Sequence, residues 1–367
     1  MKSLNEVVER KDLEFLDYKI KEIKKRDYGI GVIGAGWVFH NYHMPAYRRA
    51  GFNVVAVSDI RDEALERARK TWGIERTFKD HHEMLELDEI DIVDIATPTF
   101  GRAQIVKDVA EAGKHMLVQK PFTRSYREGV EMVQAAEKAG VKLGVNSHYR
   151  WLYAFRAAHT LIKRGLIGEP FLIYTEMIGN QDYLYYHVMP ERRWNAELDD
   201  FLTVEWGAHH FDYLRFWTNK EPVKVYYTGT KMPGQNFKSD MVCIISVDFP
   251  GPLRAAFIFN QVTQVNESKF EFRIEGTDGV IRGSYGWIEL CEKKNPSQWL
   301  RWSFEDIPFE EQRDYSYIGT MGDLMNAITE NREHISSGRD NLNTVRAYLA
   351  AKKSAIEGRP VRIEEIT

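Results

Sequence analysis

The spacing of apolar residues along the chain changes near residue 147. Before it, short apolar runs alternate with stretches in which apolar residues recur every three or four positions. The runs are 30–33, 54–57, 92–95, 116–118 and 143–145, and the helical stretches include 63–72 and 126–139. Alternation of this kind predicts right-handed crossovers and a parallel sheet.

The second part of the chain has a different pattern. A helical stretch over 155–164 is followed by β-rich runs at 171–177, 223–230, 241–249, 253–261 and 269–275. Turn pairs such as Pro250-Gly251 and Asp278-Gly279 separate several of them, which is typical of antiparallel hairpins. Two late helices are predicted around 319–330 and 344–357. We therefore expect a domain over 27–147 and a second over 148–367, with helix 340–358 packing back on the first.

Residues 1–26 form a charged segment before the first domain. Its apolar residues are spaced near three and four and are Leu4, Val7, Val8, Leu16, Ile20 and Ile23. That spacing predicts an amphipathic helical extension, with a frayed, loosely attached segment as the alternative.

Composition narrows the class of protein. The 367 residues include 43% hydrophobic and 28% charged residues, which suits a globular protein of two domains. A net charge of −4 argues against a nucleic-acid or membrane-surface partner. Cys243 and Cys291 form no close pair, so a disulfide framework or a cysteine metal site is not expected. With neither a signal-peptide core nor a membrane-length apolar run, the sequence favours the cytoplasm.

A glycine turn follows the first apolar run. Gly34 would allow a sharp turn, Gly36 would allow a pyrophosphate to approach the backbone, and a helix follows from Trp37 and Val38. Asp59 ends the second run and lies 25 residues after Gly34. Its carboxylate would accept hydrogen bonds from the adenosine ribose and repel a 2′-phosphate, which favours NAD over NADP. The nearby Arg61 weakens that preference, and a helix N-cap is the alternative role for Asp59.

Two further run ends carry polar groups. Thr97 and Pro98 follow the run at 92–95, where a hydroxyl would line the nicotinamide half of a crevice. Gln119 and Lys120 follow the run at 116–118. Because ligands of open α/β sheets lie beyond the carboxyl ends of the strands, Lys120 is predicted to reach a binding crevice. The alternative is a lysine that leaves the strand into solvent.

The octet from Glu205 to Asp212 contains two adjacent histidines. On a helix, Glu205, His209 and Asp212 share one face, and carboxylates beside an imidazole suit acid–base chemistry. His209 is therefore the candidate base, with a buried packing histidine as the alternative. His210 points elsewhere and is predicted to have a structural, packing role. Neither these histidines nor His40 and His43 complete a known metal-ligand pattern, so no metal is predicted.

In this order, the motifs resemble the Gfo/Idh/MocA oxidoreductase family, named for glucose–fructose oxidoreductase and inositol dehydrogenase. The motifs are Gly34-Ala35-Gly36 with His43-Met44-Pro45-Ala46, Thr97-Pro98, Ala112-Gly113-Lys114-His115, Lys120-Pro121, Tyr149-Arg150, Gly165-Leu166-Ile167-Gly168, Gly207-Ala208-His209 with Asp212, and Glu357-Gly358-Arg359-Pro360-Val361. The resemblance implies a Rossmann domain followed by an α+β domain with a large, open, mostly antiparallel sheet.

The resemblance also implies a chemistry. Family members typically oxidise or reduce a sugar or cyclitol carbon with a nicotinamide cofactor, and the open sheet often serves as an oligomer surface. The catalytic lysine falls on Lys120, the catalytic histidine on His209 and the preceding acidic position on Glu205. The family usually has Glu where this chain has Gln119, Asp where it has Glu205, and Asn and His where it has Thr99 and Arg102.

Our hypothesis is that a sugar hydroxyl contacts both Lys120 and His209. His209 takes the hydroxyl proton, supported by Glu205 or Asp212, and Lys120 stabilises the developing alkoxide. NAD is the expected cofactor, bound by Gly34, Gly36, Trp37, Val38, Asp59, Arg61, Thr97, Pro98, Gln119 and Lys120.

The segment 181–206 is rich in aromatic residues and precedes the histidine motif, so it is a candidate roof of the substrate cleft. Ordinary core or interface packing is the alternative. The predicted substrate contacts are Asn146, Tyr149, Arg150, Tyr183, Tyr185, Arg193, Trp194 and Trp206. A roof of this kind favours a glycoside over a free sugar. The resemblance implies oxidation at the sugar's C3, because some family members oxidise glycosides there, including plant C-glycosides. Remaining alternatives are an NAD-dependent glycosidase, a cyclitol dehydrogenase, a reductase working in reverse and a non-catalytic NAD-binding regulator. A homo-oligomer, tetrameric or larger, is expected through the C-terminal sheet.

Overall fold

A computed structural model describes residues 6–367, which form two compact units. One unit comprises Ile20–Trp151 and Arg313–Val345, and is called the dinucleotide unit below. The other comprises 6–19, Leu152–Gln312 and Arg346–Thr367, and is called the sheet unit.

The dinucleotide unit contains a six-stranded parallel sheet in the order β4-β3-β2-β5-β6-β7. Its strands are β2 (Gly29–Ile33), β3 (Asn53–Ser58), β4 (Thr77–Phe78), β5 (Ile92–Ile95), β6 (His115–Val118) and β7 (Leu143–Val145). The chain winds outward from β2 in both directions, so a topological switch point lies between β2 and β5. The predicted doubly wound sheet is confirmed.

Helices connect these strands. They are α1 (Met44–Ala50), α2 (Asp62–Trp72), α3 (His81–Leu85), α4 (Arg102–Glu111) and α5 (Tyr126–Ala139). Helix α5 begins where the Ser125 side chain accepts a hydrogen bond from the Glu128 N–H and ends at Gly140 in the left-handed conformation. These local signals explain why the predicted bounds of α5 match the observed ones.

The sheet unit contains a mixed, mostly antiparallel sheet in the order β1-β15-β14-β13-β12-β8-β11-β10-β9-β16. Its strands are β1 (Glu6–Glu9), β8 (Pro170–Ile178), β9 (Lys224–Thr230), β10 (Val242–Asp248), β11 (Arg254–Asn260), β12 (Lys269–Gly276), β13 (Gly279–Gly283), β14 (Trp287–Glu292), β15 (Gln298–Ser303) and β16 (Val361–Arg362). Among the strand pairs described for this sheet, only β1 with β15 and β8 with β11 run parallel. The predicted fold class is confirmed for this unit too.

One face of the large sheet is covered and the other is open. Helices α6 (Tyr153–Lys163) and α8 (Gly207–Thr218) pack on the covered face, where the His210 ring contacts Phe257 and Phe259. A three-residue helical turn, α7 (Gln181–Tyr183), lies between β8 and α8. On the open face, alternate positions of β8 to β11 leave apolar side chains half exposed.

The predicted N-terminal helix is wrong for the residues that the structure describes. Strand β1 pairs with β15, and a one-turn 3₁₀ helix at Leu13–Leu16 ends at Asp17 in the left-handed conformation. Backbone pairing along a sheet edge outweighs the weak helical periodicity. Ile23 instead packs in the core of the dinucleotide unit, and Leu4 lies outside the described residues.

The two late helices are longer than predicted. They are α9 (Phe309–Thr329) and α10 (Gly338–Glu357), and each begins before the predicted start. The first residues of α10 belong to the dinucleotide unit, where Asp340 pairs with Arg150, and its residues from Arg346 belong to the sheet unit. Among the described residues, none of the helices has the length and apolar character that crossing a bilayer demands.

Candidate functional site

The carboxyl ends of four neighbouring strands form one continuous edge of the parallel sheet. Hydrogen bonds extend the ladder past the strands: the Ala96 N–H donates to Ile33 at 2.8 Å, and the Gln119 N–H donates to Ile95 at 2.9 Å. The Asn146 N–H donates to Val118 at 2.8 Å. The glycine turn, the Thr97-Pro98 loop, the Gln119-Lys120 loop and the residues after β7 therefore share one edge, as predicted from the run ends.

The glycine turn has the geometry of a phosphate cradle. Gly34 has φ of +103°, and a Cβ there would lie 3.0 Å from the backbone of Ala96 and Thr97, so only glycine fits. A Cβ at Gly36 would meet only the Arg61 side chain, at 3.8 Å, so open space lies beside this backbone. The helix from Trp37 to Ala50 follows, with a π-helical turn at Phe39–His43. These residues fit a dinucleotide, whose pyrophosphate would be held at the start of this helix.

Asp59 accepts hydrogen bonds from the glycine turn and from Arg61. Its Oδ2 accepts the Ala35 N–H at 2.8 Å and Arg61 Nη2 at 3.0 Å, and its Oδ1 accepts Arg61 Nε at 3.0 Å. Burial acts to raise the pKa of Asp59, but the hydrogen bonds from Arg61 and Ala35 outweigh it and hold the pKa below its ordinary value. The carboxylate is therefore charged at neutral pH, and it orients the arginine that follows it.

We expect Asp59→Ala to change cofactor preference more than it changes folding. Loss of the carboxylate removes ribose acceptors and releases Arg61 to meet a 2′-phosphate. The ratio of the NADPH dissociation constant to the NADH dissociation constant should fall at least about tenfold, which corresponds to about 1.4 kcal/mol. Fluorescence titration with each reduced nucleotide measures both constants.

The matched control is Asp62→Ala. Asp62 lies three residues further on and its exposed side chain pairs with Lys79. This variant should leave the ratio unchanged, and an unchanged ratio in Asp59→Ala would show that the carboxylate does not select the cofactor.

Gln119 joins Lys120 to a buried polar network. The Gln119 Oε1 accepts the Lys120 N–H at 2.8 Å, and the Gln119 Nε2 lies 3.3 Å from the Nε2 of His43. The Nδ1 of His43 lies 2.5 Å from the Oδ2 of Asp94, which also accepts the Tyr47 hydroxyl at 2.9 Å. An amide nitrogen only donates and a carboxylate accepts, so Nδ1 of His43 carries the proton and Nε2 accepts.

The network limits the side-chain atoms that Gln119 could offer to the cofactor, which is the role predicted for it. Its side chain is buried and both of its amide atoms have partners within the dinucleotide unit. A glutamate carboxylate at this position would only accept hydrogen bonds, so Nε2 of His43 would have to carry a proton. The neutral amide therefore matches the His43 tautomer that Asp94 selects, and this is a physical reason for the departure from the family pattern.

His148 was not predicted as a site residue, yet it lies near Lys120. Its ring stacks on Tyr317 with 4.3 Å between ring centroids, and its Nδ1–H faces the Asn146 carbonyl at 3.4 Å. Burial, and then the positive charge of Lys120, lower the pKa of His148 to about 3. At neutral pH the imidazole is therefore neutral and adds no second positive charge near Lys120.

In the sheet unit, Glu205, His209 and Asp212 lie on one continuous helical path. Residues Phe201–Trp206 are π-helical and α8 continues from Gly207, so the regular helix that we expected over the octet begins only after Glu205. Glu205 is half-buried, whereas His209 and Asp212 are buried. π-Helical turns are rare in proteins, and those that occur are frequently found at functional sites.

His210 has the packing role that was predicted for it. Its Nδ1–H donates to the Trp206 carbonyl at 3.0 Å, and Phe257 and Phe259 surround the ring. Burial lowers the pKa of His210 to about 3, so the ring is neutral.

The aromatic segment divides into buried and exposed residues. Tyr185 is only 2% exposed and packs on Phe201 and Phe237, so its ring is not available to a substrate and the predicted contact is not supported. Tyr183 and Trp194 are 58% and 44% exposed. Within this unit Tyr183 lines a cavity of about 260 Å³ together with Asn180, Asp182, His187, Met232, Pro233, Gly234, Gln235, Val262 and Gln264.

Of the remaining predicted substrate contacts, Arg193 is exposed with its guanidinium 4.7 Å from the Tyr186 ring centroid. Trp206 is half-buried, 6.0 Å from the His209 ring. Tyr149 is half-buried with its ring on His148. Each of these three side chains is at least partly exposed, so the predicted contact with substrate stays a prediction.

Asn146 and Arg150 bind other parts of the dinucleotide unit. The Asn146 Oδ1 accepts the Thr320 hydroxyl at 2.9 Å. Arg150 donates to the Ile335 carbonyl at 2.6 Å and to Asp340 at 2.7 Å. Both side chains are buried, so the structure gives them a part in anchoring α9 and α10.

One cluster in residues 6–367 has metal-ligating side chains close together, at Asp80, His81 and His82. Its groups bind one another: His82 Nδ1 lies 2.7 Å from Asp80 Oδ1, and His81 Nε2 lies 2.8 Å from Asp108 Oδ2. His40 and His43, considered above, have Trp72 and Asp94 as partners.

Sequence reasoning missed two features of this site. Asp94 lies inside an otherwise apolar strand, Ile92–Ile95, and a buried charge there is a signal that could have been used. Arg102 was noted only as a departure from the family, although it is 2% exposed and binds the backbone beside Lys120. Its partners are distant in sequence, so spacing alone could not reveal them.

The fold and this edge define a dinucleotide-binding protein of the Rossmann class with an appended β-sheet unit. Sequence models of the Gfo/Idh/MocA family match both parts: the oxidoreductase family's NAD-binding Rossmann fold over residues 28–147, and its C-terminal domain over residues 155–282. The chain belongs to this family of NAD-binding oxidoreductases, and the expected cofactor, NAD, is confirmed at that level.

Individual relatives are similar over most of their length. D-apiose dehydrogenase of Paraburkholderia graminis is 26% identical, over 91% of this chain and 89% of that protein. The 1,5-anhydro-D-fructose reductase of Ensifer adhaerens is 26% identical, over 91% of this chain and 98% of that protein. The crystal structure of an oxidoreductase from Agrobacterium radiobacter, in complex with NAD⁺, L-tartaric acid and magnesium, has a TM-score of 0.83 at 24% identity. That match covers 93% of this chain and all of that one.

Proposed function

We propose that this chain is an NAD-dependent dehydrogenase that oxidises a secondary hydroxyl of a sugar, glycoside or polyol to the ketone. One observation carries the proposal. Lys120 follows β6 at the same sheet edge as the glycine cradle after β2, and only β5 lies between these two strands. A cation placed there would lie at the nicotinamide end of a bound dinucleotide.

Lys120 suits the stabilisation of a developing alkoxide. It is half-buried, its backbone N–H donates to the Gln119 side chain, and the nearby His148 imidazole is neutral. A fixed positive charge in a partly dry environment acts more strongly on a nearby oxyanion than it would in water. When bound, NAD supplies the hydride acceptor.

We propose that His209 removes the proton of the same hydroxyl. Glu205 and Asp212, on the same helical path, would support the imidazolium that forms. The buried Asp212 is the stronger candidate for this support because a carboxylate shielded from water interacts more strongly with a neighbouring charge.

The substrate class is proposed from the relatives and from the exposed aromatic residues. The names of the two relatives above refer to sugars or sugar derivatives. Tyr183 and Trp194 expose rings that suit the C–H faces of a sugar or a flat aglycone. We keep a glycoside oxidised at C3 as the specific substrate hypothesis.

A substrate screen tests the proposal. Free sugars, cyclitols and aryl glycosides are incubated with NAD, NADH absorbance is followed, and keto products are identified by mass spectrometry. NADH formation with any of them supports the dehydrogenase, and activity confined to small free polyols excludes the glycoside hypothesis. Release of aglycone without net NADH would indicate the oxidation–elimination–reduction glycosidase instead, and no turnover of any kind would overturn the proposal.

We also propose a homo-oligomer, tetrameric or larger, formed through the open face of the large sheet. Ile244 and Ile258 are paired across β10 and β11 and are 49% and 39% exposed. Tyr174 and Tyr226 add half-exposed rings on neighbouring strands. Contiguous apolar residues on a sheet face are typical of an association surface.

Ile244→Lys is expected to dissociate this oligomer. An unpaired ammonium buried in an apolar interface is costly, so the dissociation constant should rise about 10²–10³-fold. Light scattering coupled to size exclusion measures the mass. Val265→Lys, which places the same charge at an exposed apolar residue outside the strands, is the control and should keep the mass. If the wild-type protein had the mass of a single protomer, the proposal of an oligomer formed through this surface would be contradicted.

A further inference from the structure

Arg102 binds the backbone on both sides of Lys120. Its Nη1 donates to the Gln119 carbonyl at 2.6 Å and to the Phe122 carbonyl at 3.3 Å, and it also donates to the Pro121 carbonyl. Its Nη2 donates to the carbonyl of Thr97, in the loop after β5. The guanidinium thus joins the two loops that flank the nicotinamide end of the predicted crevice.

The position of Arg102 makes this arrangement possible. It is the first residue of α4, directly after Gly101 in the left-handed conformation, and its side chain turns back into the interior with 2% exposure. A planar guanidinium presents several N–H groups in fixed directions, whereas an ammonium is a compact point charge and a histidine offers at most two donors. Arginine therefore suits four converging carbonyls better than lysine or the family's usual histidine.

The opposite side of the same segment is held by Gln119. Its side chain accepts the Lys120 N–H and contacts His43, which Asp94 fixes in turn. Backbone oxygens of residues 119, 121 and 122 are held by Arg102, and the N–H of residue 120 is held by Gln119. Lys120 is the one residue of this short segment whose side chain carries the proposed chemistry.

We propose that Arg102 is the positioning residue for Lys120: its buried guanidinium sets the path of residues 119–122 and so the place of the lysine ammonium. The proposal rests on the proposed function, in which that ammonium acts on the substrate oxygen. Misplacement of a catalytic group by about 1 Å can lower a rate about 10²-fold, so the effect should be large although Arg102 touches no reacting atom.

The test compares Arg102→Ala, Arg102→Lys and the wild-type enzyme with the substrate found in the screen. We expect kcat of Arg102→Ala to fall about 10²-fold while the NADH dissociation constant changes less than about threefold. Arg102→Lys should be intermediate because it keeps the charge but not the fork. Added methylguanidinium at millimolar concentration should restore kcat of Arg102→Ala at least about tenfold, by refilling the site with the missing donors.

The control is Arg48→Ala. Arg48 also donates to a backbone carbonyl, that of Trp72, but at the exposed end of α1. Its kcat should match the wild type and should not respond to methylguanidinium. Thermal melting of each variant detects loss of folded protein. Rates are expressed per NADH-binding site, so a fall in kcat reports loss of turnover and not loss of folded enzyme.

A second readout does not require turnover. The acetylation rate of the Lys120 amine and hydrogen exchange over residues 116–124 are followed by mass spectrometry, with Lys114 as the internal reference. Both should change in Arg102→Ala and return with methylguanidinium. If the wild-type enzyme oxidises no substrate, the proposed function fails, and these rates still decide whether Arg102 places Lys120. Unchanged Lys120 reactivity in Arg102→Ala, or unchanged kcat in an active enzyme, would overturn the inference.

Discussion

Lys120→Met is expected to lower kcat about 10²–10³-fold, the size of effect seen when one donor to a developing oxyanion is removed. Methionine keeps much of the side-chain length but removes the charge that would stabilise the alkoxide. The dissociation constant of NADH should change little, because the cradle at Gly34 and Gly36 and the Asp59 carboxylate belong to other strand ends. Stopped-flow absorbance of NADH formation, with nucleotide titration, measures both.

Lys114→Met provides the matched control. Lys114 lies immediately before β6, at the other end of the strand from Lys120, and its Nζ donates to the Leu87 carbonyl at 3.1 Å. This variant should keep the wild-type kcat, with at most a loss of stability. If Lys120→Met retained kcat within about twofold, electrostatic stabilisation by this lysine would be excluded.

His209→Asn is expected to lower kcat about 10²–10⁴-fold, the range of general-base contributions. Asparagine fills a similar space in a nearly buried position but cannot accept the hydroxyl proton. Both kcat and kcat/KM should fall together, because the interaction develops only as the proton moves. Cofactor affinity should stay near the wild-type value. Activity that rises steeply with pH in the variant would indicate that hydroxide replaces the missing base.

His210→Asn is the comparison variant because it lies next to His209 on the same helix. The His210 ring is buried among aromatic residues and neutral, so its loss should lower the melting temperature and leave kcat per folded molecule unchanged. Equal losses of kcat in the two variants would point to helix disruption and remove His209 from the mechanism.

Five strands of the dinucleotide unit and its helices α2 and α5 were predictable because local signals agree. Apolar runs mark β2, β3, β5, β6 and β7, and Ser125 with Gly140 sets the ends of α5. Prediction failed where a strand pairs with another strand that is far away in the sequence. Strand β1 is a strand because β15, almost three hundred residues away, offers an edge, and periodicity within 1–26 could not show this.

The candidate site shows the same division. Gly34 and Asp59 were identified from spacing, and the structure joins them through Ala35 as a turn of this kind requires. Tyr185 was misassigned because aromatic composition does not distinguish a core ring from an exposed one. Arg102 was passed over because a charged residue at the start of a helix usually lies in solvent.

By itself, the sequence determined the parallel sheet, the glycine cradle with its acidic partner, and the lysine at a strand end, because each depends on residues within one or two neighbouring elements. Only the tertiary structure decided that Gln119 is tied to His43 and that Arg102 holds the carbonyls around Lys120. Those contacts join residues 17 to 76 positions apart. Side-chain direction and burial arise from the packing of the whole unit, and a one-dimensional pattern does not contain them.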